Sequence, residues 1–182
     1  MSIGILAQHR SGHTAYEQHL SRKYNLKILK EIDLNVKNID SISLKNEKDY
    51  VISLMPRKDC LSWMQAQECD WQILLRRDLK KQCLSFIYTN KVQIFRDHCV
   101  DRAIIDIELI DNFFENYKII QNIKKLNLYP IVYHEDIGCL DSSLKTTNND
   151  YQSLIINYQE CSKLIDNYMS NLSAQFLLAT KW

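Results

Sequence analysis

An apolar strand that runs without a break into a basic, glycine-containing turn and then into a helix restricts this chain more than any other feature. The run is Gly4-Ile5-Leu6-Ala7, followed by Gln8-His9 and then Arg10-Ser11-Gly12-His13-Thr14. The whole chain holds three glycines. One of them, Gly12, stands where backbone N–H groups converge on an anion at the start of a helix, with Arg10 beside them. A second strand-to-helix junction begins Ile73-Leu74-Leu75-Arg76-Arg77-Asp78-Leu79, continues through Lys80, Lys81, Gln82, Cys83 and Leu84 to Ser85, and offers another phosphate site. Two such sites point to a nucleotide with phosphates at both ends.

The order of elements read from the pattern alternates strand and helix. Ser2 to Ala7, Leu26 to Ile32, Tyr50 to Met55, Trp71 to Leu75 and Pro130 to Ile137 read as strands. Thr14 to Tyr24, Asp59 to Glu68 with Asp59 as its cap, and Leu79 to Asn90 read as helices, as does Tyr151 to about Leu178, in one piece or two. Asp106 to Leu126 is the clearest helix, with Ile110, Phe113, Phe114, Tyr117, Ile120 and Ile123 on one stripe. Such alternation implies an α/β fold, a doubly wound parallel sheet with flanking helices. At 182 residues, without repeats or linkers, the expectation is a single domain over 1–182 in which 141–182 is a helical C-terminal extension.

Composition limits the partners. A net charge of +1 excludes recognition of nucleic acid or an anionic membrane through bulk charge, so any anion site is local. No apolar run approaches the roughly 20 residues of a membrane span, and no basic, apolar leader is present at the start. Cys60, Cys69, Cys83, Cys99, Cys139 and Cys161 are scattered without a C-x-x-C pair, which reads as reduced thiols in a cytoplasmic protein and gives no metal site.

The chemistry narrows next. The phosphate loop of nucleoside triphosphatases needs Lys-Ser or Lys-Thr after its last glycine, and this chain has neither there, which disfavours a triphosphatase or kinase. Strand-Arg10-Ser11-Gly12-His13-Thr14-helix instead resembles the 5′-phosphosulfate loop of sulfotransferases that use 3′-phosphoadenylyl sulfate (PAPS). In that family an Arg closing a strand and a Ser eight residues on grip the 3′-phosphate, and Arg77 and Ser85 have that spacing. The run from Leu75 to Ser85 particularly resembles the bacterial branch, and Tyr129-Pro-Ile-Val-Tyr-His-Glu-Asp-Ile137 resembles the late strand ending in Tyr-Glu-Asp-Leu. An Arg fork and a Ser hydroxyl suit a phosphate without a metal. The plain alternative for Arg76 and Arg77 is a solvated basic edge. Spacing favours Arg77 over Arg76 as the one that enters the site.

The resemblance implies a P-loop-like sulfotransferase fold and sulfuryl transfer from PAPS, as co-substrate, to a hydroxyl or amine of a small-molecule or carbohydrate acceptor. Arg10, Ser11, Gly12, His13 and Thr14 would hold the phosphosulfate, with Arg10 also the catalytic cation. The carboxylate-using branch places its base near the end of the second strand. Glu31, 21 residues after Arg10, is the candidate, Asp33 the fallback, and a surface carboxylate paired with Lys27 or Lys30 the alternative. Glu135 and Asp136 read as cappers of a turn, with ordering of the nucleotide side of the sheet as the alternative, and His98 and His134 as structural or exposed. His9 replaces the usual proline and Ala15 the aromatic that holds adenine. The C-terminal segment with Lys145, Asn157, Tyr158 and Trp182 reads as a lid or as the interface of a homodimer. The competing function is an inactive nucleotide- or phosphate-binding module on the same fold.

Overall fold

The computed structural model describes residues 1–29, 32, 42, 44–92, 102–137 and 150–179. The chain divides into two compact units, residues 1–77 with 116–146 and residues 78–115 with 147–182.

The first unit is built on a parallel sheet. Its strands are β1 (Ile3–Ala7), β2 (Lys27–Ile28), β3 (Tyr50–Leu54), β4 (Asp70–Leu75) and β5 (Ile131–Tyr133), in the order β2-β3-β1-β4-β5. Every pair is parallel. β1 and β3 are buried along their whole length, which is why both read as continuous apolar runs rather than alternating ones. The helices that complete this unit are α1 (His13–Tyr24), α2 (Cys60–Ala66) and the second part of α4 (Glu108–Lys125).

The sheet's two faces have separate cores. Ile3, Ile5 and Ala7 of β1 meet Tyr16 and Leu20 of α1 on one face. Leu6, with Ile52, Leu54, Ile73 and Leu75, meets Trp63 and Met64 of α2 and Ile120 and Ile123 of α4 on the other. The period of two along each strand separates these sets. Gly4 lies opposite Trp71 in register, and a β-carbon at Gly4 would fall on the indole ring, so the glycine lets the ring lie flat across the sheet. The result is a five-stranded, all-parallel sheet with helices on both faces, as the alternating pattern implies.

The second unit is helical. It holds α3 (Leu79–Val92), the first part of α4, α5 (Tyr151–Leu154) and α6 (Tyr158–Ala179). Phe86, Phe113 and Phe114 form an aromatic ladder that ends with Tyr168 stacked on Phe114 at 4.6 Å. The Asn157 side chain accepts from the Ile105 N–H at 2.9 Å and donates to its carbonyl at 3.0 Å. The sequence reading treats 141–182 as an extension of one domain; the contacts group its helices with α3 and the start of α4.

Several boundaries differ from the sequence expectation. β2 is two residues long, and Ile32 adds only an isolated bridge to Leu54. β5 ends at Tyr133 because His134–Asp136 turns into a short 3₁₀ helix. Asp59 does stand at the start of α2, yet its carboxylate accepts from the Arg57 Nε and Nη2 instead of capping the helix. Among the described residues no helix is long and apolar enough to cross a membrane.

Candidate functional site

In a parallel sheet of this order, the connection leaving β1 runs toward β2 while the one leaving β4 runs toward β5. The crevice at the carboxyl ends of β1 and β4 is therefore the switch point where such sheets bind ligands. Two of the sequence candidates, the Arg10–Thr14 run and the Arg76–Arg77 pair, sit on the two sides of that point.

The loop after β1 is tightly curled. Arg10 has φ of 62° and Gly12 φ of 88°, so two of three consecutive residues are left-handed. For Arg10 this costs on the order of 1–3 kcal/mol, strain of a kind that collects at functional sites. The Ser11 N–H donates to the Gln8 carbonyl at 3.1 Å and closes the turn, while the Gly12 carbonyl accepts from Tyr16 and begins α1. Ser11 is fully buried, and its hydroxyl has no hydrogen-bond partner among the described residues. A buried hydroxyl left unpaired is unfavourable by about 1–3 kcal/mol, and it sits directly before the first amides of a helix.

That helix start differs from the others. α3 begins with the Asp78 carboxylate accepting from the Lys81 N–H, α5 with Asp150 accepting from Gln152, and α2 with Asp59 at its cap. α4 and α6 carry Glu108 with Asp111, and Glu160, in their first turns. α1 has glycine at the cap and no acidic residue in its first turn. Among the described α-helices it alone has neither an acidic cap nor an acidic first turn to meet its positive end.

Side chains directly after β4 and β5 close over this loop. The Arg76 guanidinium donates from Nε to the Ser11 carbonyl at 3.4 Å, and its Nη2 lies 3.3 Å from His134 Nδ1. The His134 ring packs so closely on Gly12 that a β-carbon there would overlap Cδ2 and Nε2. Burial, then the neighbouring Arg76 charge, lower the His134 pKa from its ordinary 6.5. Glu17, one turn into α1, is a buried carboxylate.

Arg77 faces elsewhere. Its backbone N–H donates to the Glu135 carboxylate at 3.3 Å, its Nη2 donates to Asp136 at 2.6 Å, and its guanidinium covers the Tyr133 ring at 4.4 Å. Arg76, which spacing disfavours, is thus the arginine that reaches the loop. Ser85 belongs to the helical unit, where it lies largely buried in α3 and its carbonyl accepts from the Thr89 hydroxyl. The Arg77–Ser85 pair is therefore not a feature of either unit taken alone. Arg10, Ser11, Gly12, His13 and Thr14 share the β1–α1 junction, as their adjacency requires. Glu31 and its fallback Asp33 lie outside the described residues, as do His98, Lys145 and Trp182.

Sequence reasoning missed His134 and Glu17. A histidine at the end of a strand carries no local signal, although its place beside Glu135 and Asp136 in a motif already singled out marks the right turn. Comparison with protein-family models and with curated protein sequences gives no match for this chain.

Proposed function

We propose that this chain binds a phosphorylated nucleotide at the loop of residues 8–12 and transfers the sulfuryl group of PAPS to a hydroxyl or amine acceptor. The observation that carries the reading is the start of α1: a glycine cap, no carboxylate, a buried Ser11 hydroxyl without a partner, and Arg76 alongside. A phosphate or sulfuryl oxygen supplies the acceptor that the hydroxyl lacks and the negative charge that the helix start and the guanidinium favour. The sulfuryl donor itself is supported by the Arg10–Thr14 motif and by the Arg77 and Ser85 spacing.

In the proposed reaction the acceptor oxygen or nitrogen attacks sulfur in line with the bridging oxygen of the phosphosulfate. The sulfur–oxygen bond to phosphate breaks, the acceptor's proton passes to a base, Glu31 in this reading, and adenosine 3′,5′-bisphosphate leaves. Charge grows on the leaving phosphate, where Arg10 and the α1 amides would stabilise it. A fold of the P-loop-like sulfotransferase kind belongs to the same proposal.

A second reading, a phosphate- or nucleotide-binding module without turnover, is favoured by one observation. Arg77, expected to hold the 3′-phosphate, already has Asp136 and Glu135 about it. Calorimetric titration of adenosine 3′,5′-bisphosphate, AMP, and ATP with Mg²⁺ separates the readings. Preference for the bisphosphate supports the sulfotransferase. Equal binding of bisphosphate and AMP leaves the one-phosphate module, and no binding of any of them removes both.

A further inference from the structure

We infer that His134 is a direct ligand of the anion held at the β1–α1 loop, donating through Nε2 while Arg76 occupies its Nδ1. The inference deepens the proposed anion site and rests on that reading.

A guanidinium can only donate, so in the Arg76–His134 contact Nδ1 is the acceptor. The neutral ring then carries its proton on Nε2. That nitrogen and Cδ2 form the edge lying against Gly12, the cap of a helix whose first turn holds no carboxylate, one residue after Ser11 with its buried hydroxyl. The loop thus collects a hydroxyl, the helix amides, a guanidinium and an imidazole N–H around one residue with no side chain. Glycine at this position serves two purposes: it takes the left-handed backbone, and it leaves the space into which the ring fits. A role limited to packing would not need this nitrogen turned toward Gly12. Among the described residues, the charged groups that act on the ring are Arg76 from the turn after β4 and Glu135 beside it in the 3₁₀ turn; Arg10 and His13 lie in sequence on either side of the Gly12 on which it packs.

The donor at Nε2 is present in the neutral ring, and Nδ1 must keep its lone pair to accept from Arg76, so protonation at Nδ1 breaks the arrangement and binding weakens as pH falls. Inorganic sulfate is the probe, because it stays a dianion across the range and any pH dependence belongs to the protein. The experiment is calorimetric titration of sulfate at pH 8 and pH 5.5 with the full chain and with two variants. In the wild type, affinity should be higher at pH 8, where the ring is neutral and Nδ1 accepts from Arg76, than at pH 5.5. His134→Gln puts an amide N–H near the Nε2 position and should keep most of the affinity while losing the pH dependence. His134→Asn keeps an acceptor for Arg76 but no donor at Nε2, and should bind sulfate about tenfold more weakly, the worth of one hydrogen bond to a charged group.

If both variants bind as the wild type does, or if Asn preserves binding better than Gln, His134 at most positions Arg76 and the inference falls while the anion site stands. If the wild type binds neither sulfate nor adenosine 3′,5′-bisphosphate, the anion site falls as well. Should a variant fail to fold, the ring nitrogen shifts of wild-type His134 serve in its place. Sulfate should move Nε2 and leave Nδ1 nearly still; no movement at Nε2 overturns the proposal.

Discussion

The two units of this chain treat their polar groups in opposite ways. In the helical unit they are paired with one another: Asn157 with both backbone groups of Ile105, the Tyr168 hydroxyl with Asp111 at 2.6 Å, Lys80 with Asp166 at 2.8 Å. In the sheet unit, at the loop after β1, a fully buried Ser11 hydroxyl has no partner among the described residues, and α1 has no carboxylate at its cap or in its first turn. The first arrangement stabilises the folded chain; the second leaves the Ser11 hydroxyl without a partner among the described residues. Polar groups buried in native proteins are nearly always satisfied, so the exceptions are where a ligand is to be sought.

Asn157→Ala should show the largest effect on the helical unit. It removes the partners of two Ile105 backbone groups at about 1–2 kcal/mol each, so chemical denaturation should report a loss of about 2–4 kcal/mol, with sulfate affinity unchanged. Gly12→Ala acts on the other side of the comparison. The left-handed backbone penalises any β-carbon by about 1–2 kcal/mol, and the His134 ring must also move, so the variant should lose that much stability and its anion binding together. A Gly12→Ala protein that binds sulfate as well as the wild type would show that the loop is not the site.

The pH dependence of stability gives a smaller effect. Folding lowers the His134 pKa from 6.5, so below that value the unfolded chain takes up a proton more readily than the folded one. The contribution of neutral His134 is complete above pH 6.5 and is lost as pH falls from there toward the folded value. Thermal melts from pH 8 to pH 5 should therefore show a decline that His134→Gln reduces. The smallest effect belongs to Asp136→Asn, which breaks an ion pair that is more than half exposed on both sides. Its melting temperature should stay within the scatter of repeats. If Arg77 serves the nucleotide's 3′-phosphate, the released guanidinium should bind adenosine 3′,5′-bisphosphate more tightly; unchanged affinity would favour the module without turnover.

The same contrast explains what could be read from the amino acids alone. α4 was legible almost to the residue, because its apolar stripe continues through the whole helix from Ile110 to Ile123. The β1–α1 junction was legible because its parts are adjacent in sequence. β5 was overrun, since Tyr133-His134-Glu135-Asp136 continues a strand-like pattern while its polar members turn away from the sheet. The choice between Arg76 and Arg77 could not be made by counting. Neighbouring residues at a strand end leave on opposite sides, and the partners that decide which goes where, Ser11, His134 and Asp136, come from distant segments. The contact of His134 with Gly12 is likewise a product of the sheet order, which brings β5 beside β4 and β4 beside β1.

The account turns on the Ser11 hydroxyl, and the most direct measurement is adenosine 3′,5′-bisphosphate binding by wild type and Ser11→Ala, with the ligand-free melting temperature of each. Removing a buried hydroxyl that has no partner should leave the ligand-free protein as stable as before or slightly more so, and should weaken bisphosphate binding about fivefold to tenfold. A Ser11→Ala protein that melts lower yet binds the bisphosphate as the wild type does would mean that the hydroxyl serves the fold, and would contradict the anion site at its centre.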